Sequence, residues 1–349
     1  MNKQNERHNN LLGIIDVLRT RKVTTQAELK EICSLQASTV SYLINDLRTF
    51  NFIKDSGKAA SSGRKVGKPG LAISLNNEAA CFLGIYLIDN AVELFVYGLD
   101  GEELEESRIC FEADKLIETL YKGIDEKLSA YPQIKKIAIA VKGIIHNDGR
   151  LESGVRHTGS GAEGHWDIAN FVEEIRQRYP EYEIIVENDA NCAAIYYYTK
   201  NKDKYENVTT VTYVLNDQPF GIGLGLIIEG KLFRGSDGCA GEYYEKDSFL
   251  KESKHGVRDN LVPVVEKLLN HMKMTAYLLN PVKLIICGNA FSAVSDDDLR
   301  QLEKVLSSLP CTAELKCEPH FSAPACGAAL IGADSYVREI VGGIEKRWS

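Results

Sequence analysis

The N-terminal part of the chain alternates between apolar residues at helical spacing and short polar breaks. The segment TTQAELKEI contains Thr25 three residues before Glu28, which is the pattern of a capping box at the start of a helix. After the break CSLQ, the segment ASTVSYLINDLRTF places its apolar residues on one helical face: Val40, Leu43, Ile44 and Leu47. An earlier apolar segment, residues 11–18, predicts a further helix.

The opposite face of the ASTVSYLINDLRTF helix is polar and consists of Ser38, Thr39, Ser41, Tyr42 and Asn45. Short hydroxyl and amide side chains with one aromatic ring are types that reach the phosphates and base edges of DNA. The stretch that follows, residues 50–76, predicts a strand, a polar tip and a second strand, which form a β-wing. Two helices joined by a short turn, with a wing behind them, predict a winged helix-turn-helix that binds DNA. The alternative is a helical hairpin that serves dimerisation or partner binding.

The tip of this wing, GRKVGKPG, is rich in glycine and in positive charge. Its basic residues are Arg64, Lys65 and Lys68. A thin basic strand can enter a minor groove, whose negative potential attracts Arg and Lys. The tip is not a P-loop, because three residues rather than four separate Gly63 from Gly67, and Pro69 follows the lysine. The alternative for the tip is a solvated linker.

From residue 79 onward, buried strands alternate with amphipathic helices. Predicted strands lie at 81–88, 92–100, 106–112, 134–145, 182–188, 208–215, 221–233 and 284–289, and predicted helices lie at 114–131 and 166–179. This alternation predicts α/β organisation, with strands that end at polar, glycine-rich loops. We therefore expect a DNA-binding domain over residues 1–78 and a second domain over residues 79–349.

Charge is distributed unevenly between these two parts. Residues 1–70 hold 12 Lys and Arg against 6 Asp and Glu, whereas the other residues hold 29 against 43. A basic N-terminal segment on an acidic remainder indicates that only the former meets a polyanion.

Cysteine usage and hydropathy limit the cellular setting. Nine scattered cysteines with no C-x-x-C pair predict free, mostly buried thiols in a reducing cytoplasm, and they argue against a zinc site. No apolar run approaches the ~20 residues needed to span a bilayer. The first ten residues lack the apolar core of a signal peptide. We expect a cytoplasmic protein without a membrane partner.

Segments of the second part resemble, in order, the signature segments of the ROK family of repressors, open reading frames and sugar kinases. They are HWDIANF…IIVENDANCAAIY, FGIGLGLIIEGKLFRGSDGCAGE, LNPVKLIICGNA and GAALIGA. Because repressors of this family carry an N-terminal winged helix, the resemblance extends over essentially the whole chain. It implies a two-lobed actin-like, hexokinase-like ATPase fold with a sugar in the cleft. The small lobe would cover residues 79–197 and the C-terminal helix, and the large lobe residues 198–329.

The resemblance also implies which residues face the sugar. Asn188 and Asp189 match the family's Asn-Asp pair, whose Asp is the base that activates a sugar hydroxyl in the kinases. Glu242 matches the Glu of the Ala-Gly-Glu motif, and Thr158 lies near the sugar by its position. Such amides and acceptors suit bidentate hydrogen bonds to vicinal hydroxyls. The alternative role for Asp189 is the N-cap of a helix over residues 190–198.

The phosphate loops of the family's kinases are altered in this chain. Tyr86 stands where the first loop has its Asp, and the Gly-Gly-Thr of that loop is replaced by Ile88, Asp89 and Asn90. In the second loop, Pro219 and Phe220 replace Gly-Thr. A proline has no amide hydrogen to donate, and an acidic side chain repels phosphate. The glycines that remain, Gly221 and Gly223, also fit a strand that needs close packing.

The family's structural zinc motif is missing as well. Glu245 stands at the position of its His, where the exchange could select an amine or cation or abolish sugar binding. No cysteine cluster follows, since the next cysteine is Cys287. Isolated histidines such as His165 and His271 are expected to be packing or surface residues. We predict no catalytic residue, no cofactor and no metal site.

These patterns predict a DNA-binding transcriptional repressor of the ROK type whose kinase activity is lost. Its expected partners are operator DNA, a sugar or sugar-derivative effector, and further copies of itself in a homodimer or homotetramer. The effector would change the spacing of two recognition helices, which must lie about 34–36 Å apart to read successive major grooves. The alternatives are a sugar kinase with an accessory DNA-binding part and a constitutive DNA-binding protein with a purely structural second part.

Overall fold

The computed structural model describes most of the chain. The described residues are 3–58, 71–88, 91–111, 115–152, 157–158, 165–166, 168–201, 207–217, 221–242 and 257–346. Within them, no helix has the length and apolar character that crossing a bilayer requires.

The helices of the described ranges are α1 (Lys3–Arg21), α2 (Gln26–Ile32), α3 (Ala37–Thr49), α4 (Leu116–Ala130), α5 (Ile168–Arg178), α6 (Asp189–Lys200), α7 (Leu261–Leu279), α8 (Asp296–Leu306) and α9 (Ala323–Lys346). The first strands are β1 (Thr24–Thr25), β2 (Ile53–Lys58), β3 (Leu71–Leu75), β4 (Cys81–Ile88), β5 (Ala91–Gly98), β6 (Glu103–Cys110), β7 (Ile134–Val141), β8 (Ile144–Ile145) and β9 (Leu151–Glu152). They are followed by β10 (His157–Thr158), β11 (His165–Trp166), β12 (Glu183–Asn188), β13 (Thr210–Asn216), β14 (Gly221–Ile228), β15 (Lys231–Leu232), β16 (Lys283–Cys287) and β17 (Ala313–Leu315).

Helices α1–α3 and strands β1–β3 form one unit, which we call the head. Its antiparallel sheet has the order β1-β3-β2, with Ile53 opposite Leu75 and Lys58 opposite Leu71. The predicted helices and the two strands flanking residues 59–70 are therefore confirmed. The basic residues predicted for the tip, Arg64, Lys65 and Lys68, lie outside the described residues.

Local sequence signals account for the helices of the head. The hydroxyl of Thr25 accepts from the backbone N–H of Glu28, and the Glu28 carboxylate accepts from the backbone N–H of Thr25 at 2.9 Å. This reciprocal pair confirms the predicted capping box. The apolar face predicted for α3 is buried as well: Val40, Leu43, Ile44 and Leu47.

The core of the head continues into the C-terminal helix α9. Leu11, Ile14 and other apolar residues of the head form one cluster with the inward-facing residues of α9: Ala333, Val337, Val341 and Ile344. Arg19 of α1 forms an ion pair with Asp334 of α9 and donates to the carbonyl oxygen of Leu99 at 3.2 Å. The head is therefore joined to the rest of the chain by apolar packing and by polar contacts.

The remainder of the chain contains two five-stranded sheets. The first has the strand order β12-β7-β4-β5-β6. Side chains alternate between its faces, as the two-residue period of a strand requires. Leu83 and Ile85 pack in a cluster with α4 and α5, whereas Tyr86 packs in a cluster with α6 and α9.

The second sheet has the strand order β15-β14-β13-β16-β17. One face packs against α7 and α8. The other face packs against α6, which in turn contacts α9. A Cβ atom on Gly327 would lie 1.8 Å from the carbonyl oxygen of Cys192, so glycine permits the close crossing of α9 and α6. Helices α6 and α9 thus lie between the two sheets, and the mixed α/β architecture agrees with the prediction; the boundaries of the domains and lobes remain predictions.

Two predicted strands are interrupted in the structure. The strand expected at 134–145 ends at Val141, because Gly143 adopts a positive φ of 150°. The strand expected at 221–233 is a hairpin that turns at Glu229 and Gly230, whose φ angles are 50° and 75°. A run of apolar residues does not reveal such breaks, because the residues on both sides of them are buried or half-buried.

The cysteines are free thiols, as expected, but most of them are not buried. The buried ones are Cys81, Cys192, Cys287 and Cys326. The others are half-buried (Cys33, Cys311) or exposed (Cys110, Cys239, Cys317). The expectation of mostly buried thiols is therefore wrong, because several cysteines lie at strand ends and in connecting segments rather than in the core.

Candidate ligand-binding site and nucleic-acid interface

Asn188 caps the helix that begins at the β12–α6 junction. Its backbone is extended, with φ −63° and ψ 141°, and its Oδ1 accepts from the backbone N–H of Asn191 at 3.0 Å. Asp189 is already the first residue of α6. The alternative role of Asp189 as N-cap is therefore wrong, because the helix begins one residue earlier than the sequence pattern predicts.

Asp189 is buried, with 4% of its surface exposed, and both of its carboxylate oxygens are hydrogen-bonded. Oδ1 accepts from the backbone N–H of Ala190 at 2.9 Å. Oδ2 accepts from the Tyr86 hydroxyl at 3.3 Å and from the Asn216 amide at 3.2 Å. Burial raises the pKa of Asp189, and the positive charge of nearby Lys142 acts in the opposite direction. The residue that a kinase would use as a base is thus engaged by groups of this protein.

Asn188 precedes Asp189 in the chain and also contacts Glu242, another predicted ligand-binding residue. Its amide donates to the carbonyl oxygen of Gly143 at 2.9 Å and to Oε1 of Glu242 at 3.4 Å. The backbone of Glu242 is held by an isolated antiparallel bridge to Gly223 of β14. The structure therefore brings together Asn188, Asp189 and Glu242.

Glu242 marks the open side of this cluster. Glu242 is exposed to solvent, whereas Asp189 is buried. Neighbouring protein atoms remove part of the water around the Glu242 carboxyl group, and the negative charge of Asp189 adds a smaller effect in the same direction. Together they raise the pKa of Glu242 to about 6. A site with one buried and one accessible carboxyl group, beside amides and a lysine, offers convergent polar groups to a small polar ligand.

The positions of two predicted ligand-binding residues, Thr158 and Glu245, relative to this cluster stay untested. Thr158 lies in the short strand β10, opposite His165 of β11. Glu245 lies outside the described residues, as do Asp89, Asn90, Pro219 and Phe220. The roles assigned to Thr158 and Glu245 stay predictions.

Sequence reasoning missed several residues of the cluster. Tyr86 and Asn216 contact Asp189 directly, and Lys142 acts on it through its charge. Lys142 directly follows β7, and Asn216 ends β13. A polar residue at the carboxyl end of a buried strand is the signal that could have identified both, because ligands of α/β proteins collect at that edge.

Glu187 is a structural member of the same segment. One carboxylate oxygen accepts from the backbone N–H of Asn188 and from the Asn191 amide, both at 2.9 Å. The other accepts from Nε of Arg234 at 2.8 Å. Because Arg234 follows β15, this ion pair fixes the β12–α6 junction to the second sheet.

The positions of the two phosphate loops have structural roles in this chain. The Tyr86 side chain is 1% exposed and meets the ring of Phe321 edge-on at 6.4 Å. In the second loop, a Cβ on Gly223 would lie 2.9 Å from the Cβ of Ala190. Two residues beyond that loop, a Cβ on Gly225 would lie 2.3 Å from the carbonyl oxygen of Ala190. Both glycines thus allow β14 to pack closely on α6, the role that the sequence pattern left open for Gly223.

The polar face of α3 forms the candidate nucleic-acid interface. Ser38, Ser41, Tyr42 and Asn45 are exposed, and Thr39 is half-buried. The Arg7 guanidinium lies 5.1 Å from the centre of the Tyr42 ring and bonds Asp46 at 2.5 Å. This places a cation of α1 beside the exposed aromatic residue of α3.

Part of the chain is similar to a known protein family. Residues 83–243 match the model of the ROK family. Over these residues the chain is similar to proteins of the ROK family.

The curated relatives include proteins named xylose repressor. The xylose repressor of Caldicellulosiruptor bescii is 25% identical over 241 residues, which are 67% of this chain and 57% of that protein. The xylose repressor of Bacillus subtilis is 25% identical over 245 residues, covering 67% of this chain and 59% of that protein. The match thus spans less than two thirds of either relative.

Solved structures show the same fold. A ROK family transcriptional regulator, described as a homologue of the E. coli MLC protein, matches with a TM-score of 0.66 and 14% identity. The match covers 98% of this chain and 99% of that one. A ROK family protein from Streptococcus pneumoniae TIGR4, in complex with sucrose, matches 73% of this chain and 99% of its own with a TM-score of 0.52 and 16% identity.

Proposed function

We propose that this protein is a DNA-binding transcriptional repressor of the ROK type. The observation that carries the proposal is the union, in one chain, of a ROK family region with a head whose α3 exposes a polar face. We interpret the head as a winged helix-turn-helix, with α3 as the recognition helix and β2, β3 and the residues between them as the wing. Arg64, Lys65 and Lys68 would then contact the DNA backbone or a minor groove. The names of the curated relatives support this function.

The proposed effector is a sugar or a sugar derivative bound at Asn188, Asp189 and Glu242. The amide of Asn188 donates to the carboxyl group of Glu242. The carboxyl group of Asp189 is close enough to Glu242 to affect its pKa through charge. Such a set can hold adjacent hydroxyl groups by paired hydrogen bonds. Xylose is the first compound to test, because it is the sugar named for the relatives.

Loss of kinase activity is part of the same proposal. In a phosphoryl transferase, glycine-rich loops bring backbone amides to the phosphates. Here the bulky, buried Tyr86 occupies the first loop position, and its hydroxyl donates to Asp189. The alternative, a sugar kinase with an accessory DNA-binding head, requires Asp189 to be released from Tyr86 and Asn216 before it can accept a proton from a sugar.

A homodimer, or a homotetramer built from dimers, would place two heads on one operator. Because α9 contacts both the head and α6, a shift of α6 on effector binding can reach the head through α9. A ligand changes DNA affinity only if it binds the released and the DNA-bound conformations with different affinity.

The proposal is tested on the full chain, because the core of the head includes α9. Fluorescence anisotropy compares a DNA fragment from upstream of the protein's own gene with a scrambled fragment of equal length. A specific repressor should prefer the former by at least about 10³-fold. Xylose, or another sugar from a panel, should weaken that binding by roughly 5–150-fold.

The variant Asp189→Asn separates the effector site from the DNA-binding site. It should bind the operator normally and lose most of the response to the sugar, whereas the surface variant Asp125→Asn should respond as the wild type does. Equal affinity of the wild type for both DNA fragments would contradict the repressor function. Release of ADP with any sugar, abolished by Asp189→Asn, would favour the kinase instead.

A further inference from the structure

A second polar cluster lies beside the proposed sugar site. It consists of His146, Asp237 and Cys239, whose candidate ligand atoms all lie within 4.8 Å of one another. His146 follows the short strand β8, and the other two residues follow β15. We propose that this cluster is a metal site that binds a divalent transition metal, best fitted by Zn²⁺.

The orientation of His146 is the first argument for a metal. Its Nδ1 faces Oδ2 of Asp237 at 3.2 Å, and its Nε2 faces Oε2 of Glu152 at 3.1 Å. In metal sites, a ligating histidine commonly donates its second N–H to a carboxylate, which fixes the ring and its tautomer. Glu152 is placed for this supporting role, with Nδ1 directed at the metal.

Backbone packing holds the segment that contains Asp237 and Cys239 against the hairpin that contains His146. Gly238 lies between Asp237 and Cys239 in the chain and has a φ of 83°. A Cβ on this glycine would lie 2.1 Å from the carbonyl oxygen of Ile145. The amide of Asn147 donates to the carbonyl oxygen of Ser236 at 2.8 Å. The segment after β15 therefore lies directly on the β8–β9 hairpin, and the position of Asp237 and Cys239 does not depend on their attraction to His146 alone.

The chemistry of the three side chains selects the metal. Imidazole nitrogen, thiolate sulfur and carboxylate oxygen together form a typical zinc ligand set, whereas Ca²⁺ and Mg²⁺ prefer oxygen alone. With zinc–ligand bonds of about 2.0–2.3 Å, tetrahedral ligand atoms lie roughly 3.3–3.8 Å apart. The distance from Nδ1 of His146 to Oδ2 of Asp237, 3.2 Å, is already close to this range, and the other distances, which are at most 4.8 Å, would shorten by up to about 1 Å. Three protein ligands leave a fourth position for water or another small ligand.

The site is exposed at its entrance and buried at its floor. Asp237 and Glu152 have side-chain exposures of 67% and 62%, whereas the side chain of His146 is 6% exposed. Cys239 is exposed as well. A metal ion can therefore reach the imidazole from solvent through the thiol and carboxylate groups. The site also differs from the zinc motif expected for the family, since it uses neither Glu245 nor a cysteine cluster.

The location of the cluster links metal binding to the sugar site. Gly143, just before β8, accepts a hydrogen bond from Asn188, and Glu242 follows Cys239 by three residues. A metal that joins the hairpin to the segment after β15 would hold both sides of the sugar site in place. The metal site itself does not rest on the proposed function, because its test uses metal binding alone.

The experiment is a titration of the 349-residue chain with Zn²⁺ after treatment with a chelator and dialysis. Isothermal calorimetry should show about one equivalent bound. Titration with Co²⁺ should produce a thiolate-to-cobalt charge-transfer band. Cys239→Ser should abolish that band, and Cys239→Ser and Asp237→Asn should each weaken zinc binding by at least tenfold. Both residues are exposed, so these variants should fold even if His146→Gln does not.

Matched variants exclude binding at other thiols and imidazoles. Cys317→Ser and His320→Gln change exposed residues elsewhere and should leave the titration unchanged. Glu152→Gln should weaken zinc binding by about 10–100-fold while keeping the charge-transfer band, as expected for a group that orients a ligand. No zinc binding by the wild type, or binding unaltered in Cys239→Ser and Asp237→Asn, would overturn the proposal and leave an ion pair of His146 with two carboxylates.

Discussion

The outer face of α3 and the β12–α6 junction both carry polar side chains. Those on α3 are exposed to solvent, whereas those at the junction are buried. On α3, Ser38, Ser41 and Tyr42 point to solvent from a helix whose other face is packed. At the junction, Glu187, Asn188, Asp189 and Asn191 are buried and bonded to one another or to distant segments.

The difference indicates what kind of partner each region can serve. Exposed polar groups on a rigid helix are accessible to a large surface such as a DNA groove, and changing one leaves the core intact. Buried polar groups must be satisfied by partners, because an orphaned one costs about 1–3 kcal/mol. A preformed buried cluster therefore suits a small ligand, and its variants affect stability as well as binding.

The largest effect should come from the packed face of α3. Leu43 is 1% exposed, so Leu43→Ala should lower the opening free energy of the α3 amides by about 2–5 kcal/mol through cavity formation. Ser41→Ala, on the outer face, should change it by less than about 0.5 kcal/mol. Native-state hydrogen exchange measures both. Similar losses in the two variants would show that the outer face is also part of a packed interior.

The outer face should matter for DNA instead. Tyr42→Ala should weaken specific operator binding by about 1–3 kcal/mol, the range for loss of a good base contact. Its hydrogen-exchange protection should stay near that of the wild type. Anisotropy with operator and scrambled DNA distinguishes a loss of specificity from a uniform loss of affinity. Unchanged specificity would remove Tyr42 from the base-reading residues.

At the β12–α6 junction, Asn188→Ala should cost about 1 kcal/mol, because the N–H of Asn191 loses its cap. Asn188→Ser restores a capping oxygen but cannot donate to both Gly143 and Glu242. Urea unfolding should therefore place Asn188→Ser between the alanine variant and the wild type. If both variants are as stable as the wild type, the cap contributes nothing measurable.

The wing should add affinity without specificity. Arg64→Ala and Lys68→Ala should each lower the slope of log affinity against log salt by about one unit, if each side chain neutralises one phosphate. The effect should be the same on operator and scrambled DNA, unlike that of Tyr42→Ala. Slopes equal to that of the wild type would assign the tip to a solvated linker.

The smallest effect should be a pH dependence at Glu242. Its pKa rises from 4.5 to about 6 on folding. A carboxyl group with a raised pKa stabilises the fold fully below about pH 4.5 and loses that contribution as the pH rises through about 6. The difference in melting temperature between the wild type and Glu242→Gln should therefore decrease as the pH rises from about 4.5 to about 6, and it should stay constant above about pH 7. Because Glu242 reaches solvent, we expect this pH-dependent contribution to the free energy of unfolding to be less than about 1 kcal/mol.

A control follows from the cause of this shift. In Asp189→Asn the nearby negative charge is gone, so the pKa of Glu242 should move back toward its ordinary value. An NMR titration of the Glu242 carboxyl carbon measures it directly. A pKa of Glu242 that is the same in both proteins would exclude the contribution of Asp189.

What the sequence could predict follows from the range of the interactions. The Thr25–Glu28 capping box and the buried face of α3 depend on residues three or four positions apart, so their pattern is visible in the chain. Asp189, by contrast, receives a hydrogen bond from Tyr86, 103 residues earlier in the chain. His146 and Asp237 are 91 residues apart. Spacing along the chain carries no information about such pairs, because only the tertiary packing of strands and connecting segments brings them together.

The shared core of the head and α9 has a consequence for biosynthesis. Leu11 and Val341 belong to one apolar cluster, yet about 330 residues separate them in the chain. At a translation rate of about 5–20 residues per second, roughly 17–66 s pass between their synthesis. The head is therefore synthesised before α9, and the part of its apolar surface that α9 covers stays exposed until α9 has been made. If the head binds DNA as proposed, a chain that lacks α9 would leave part of the apolar core of that DNA-binding unit exposed to water.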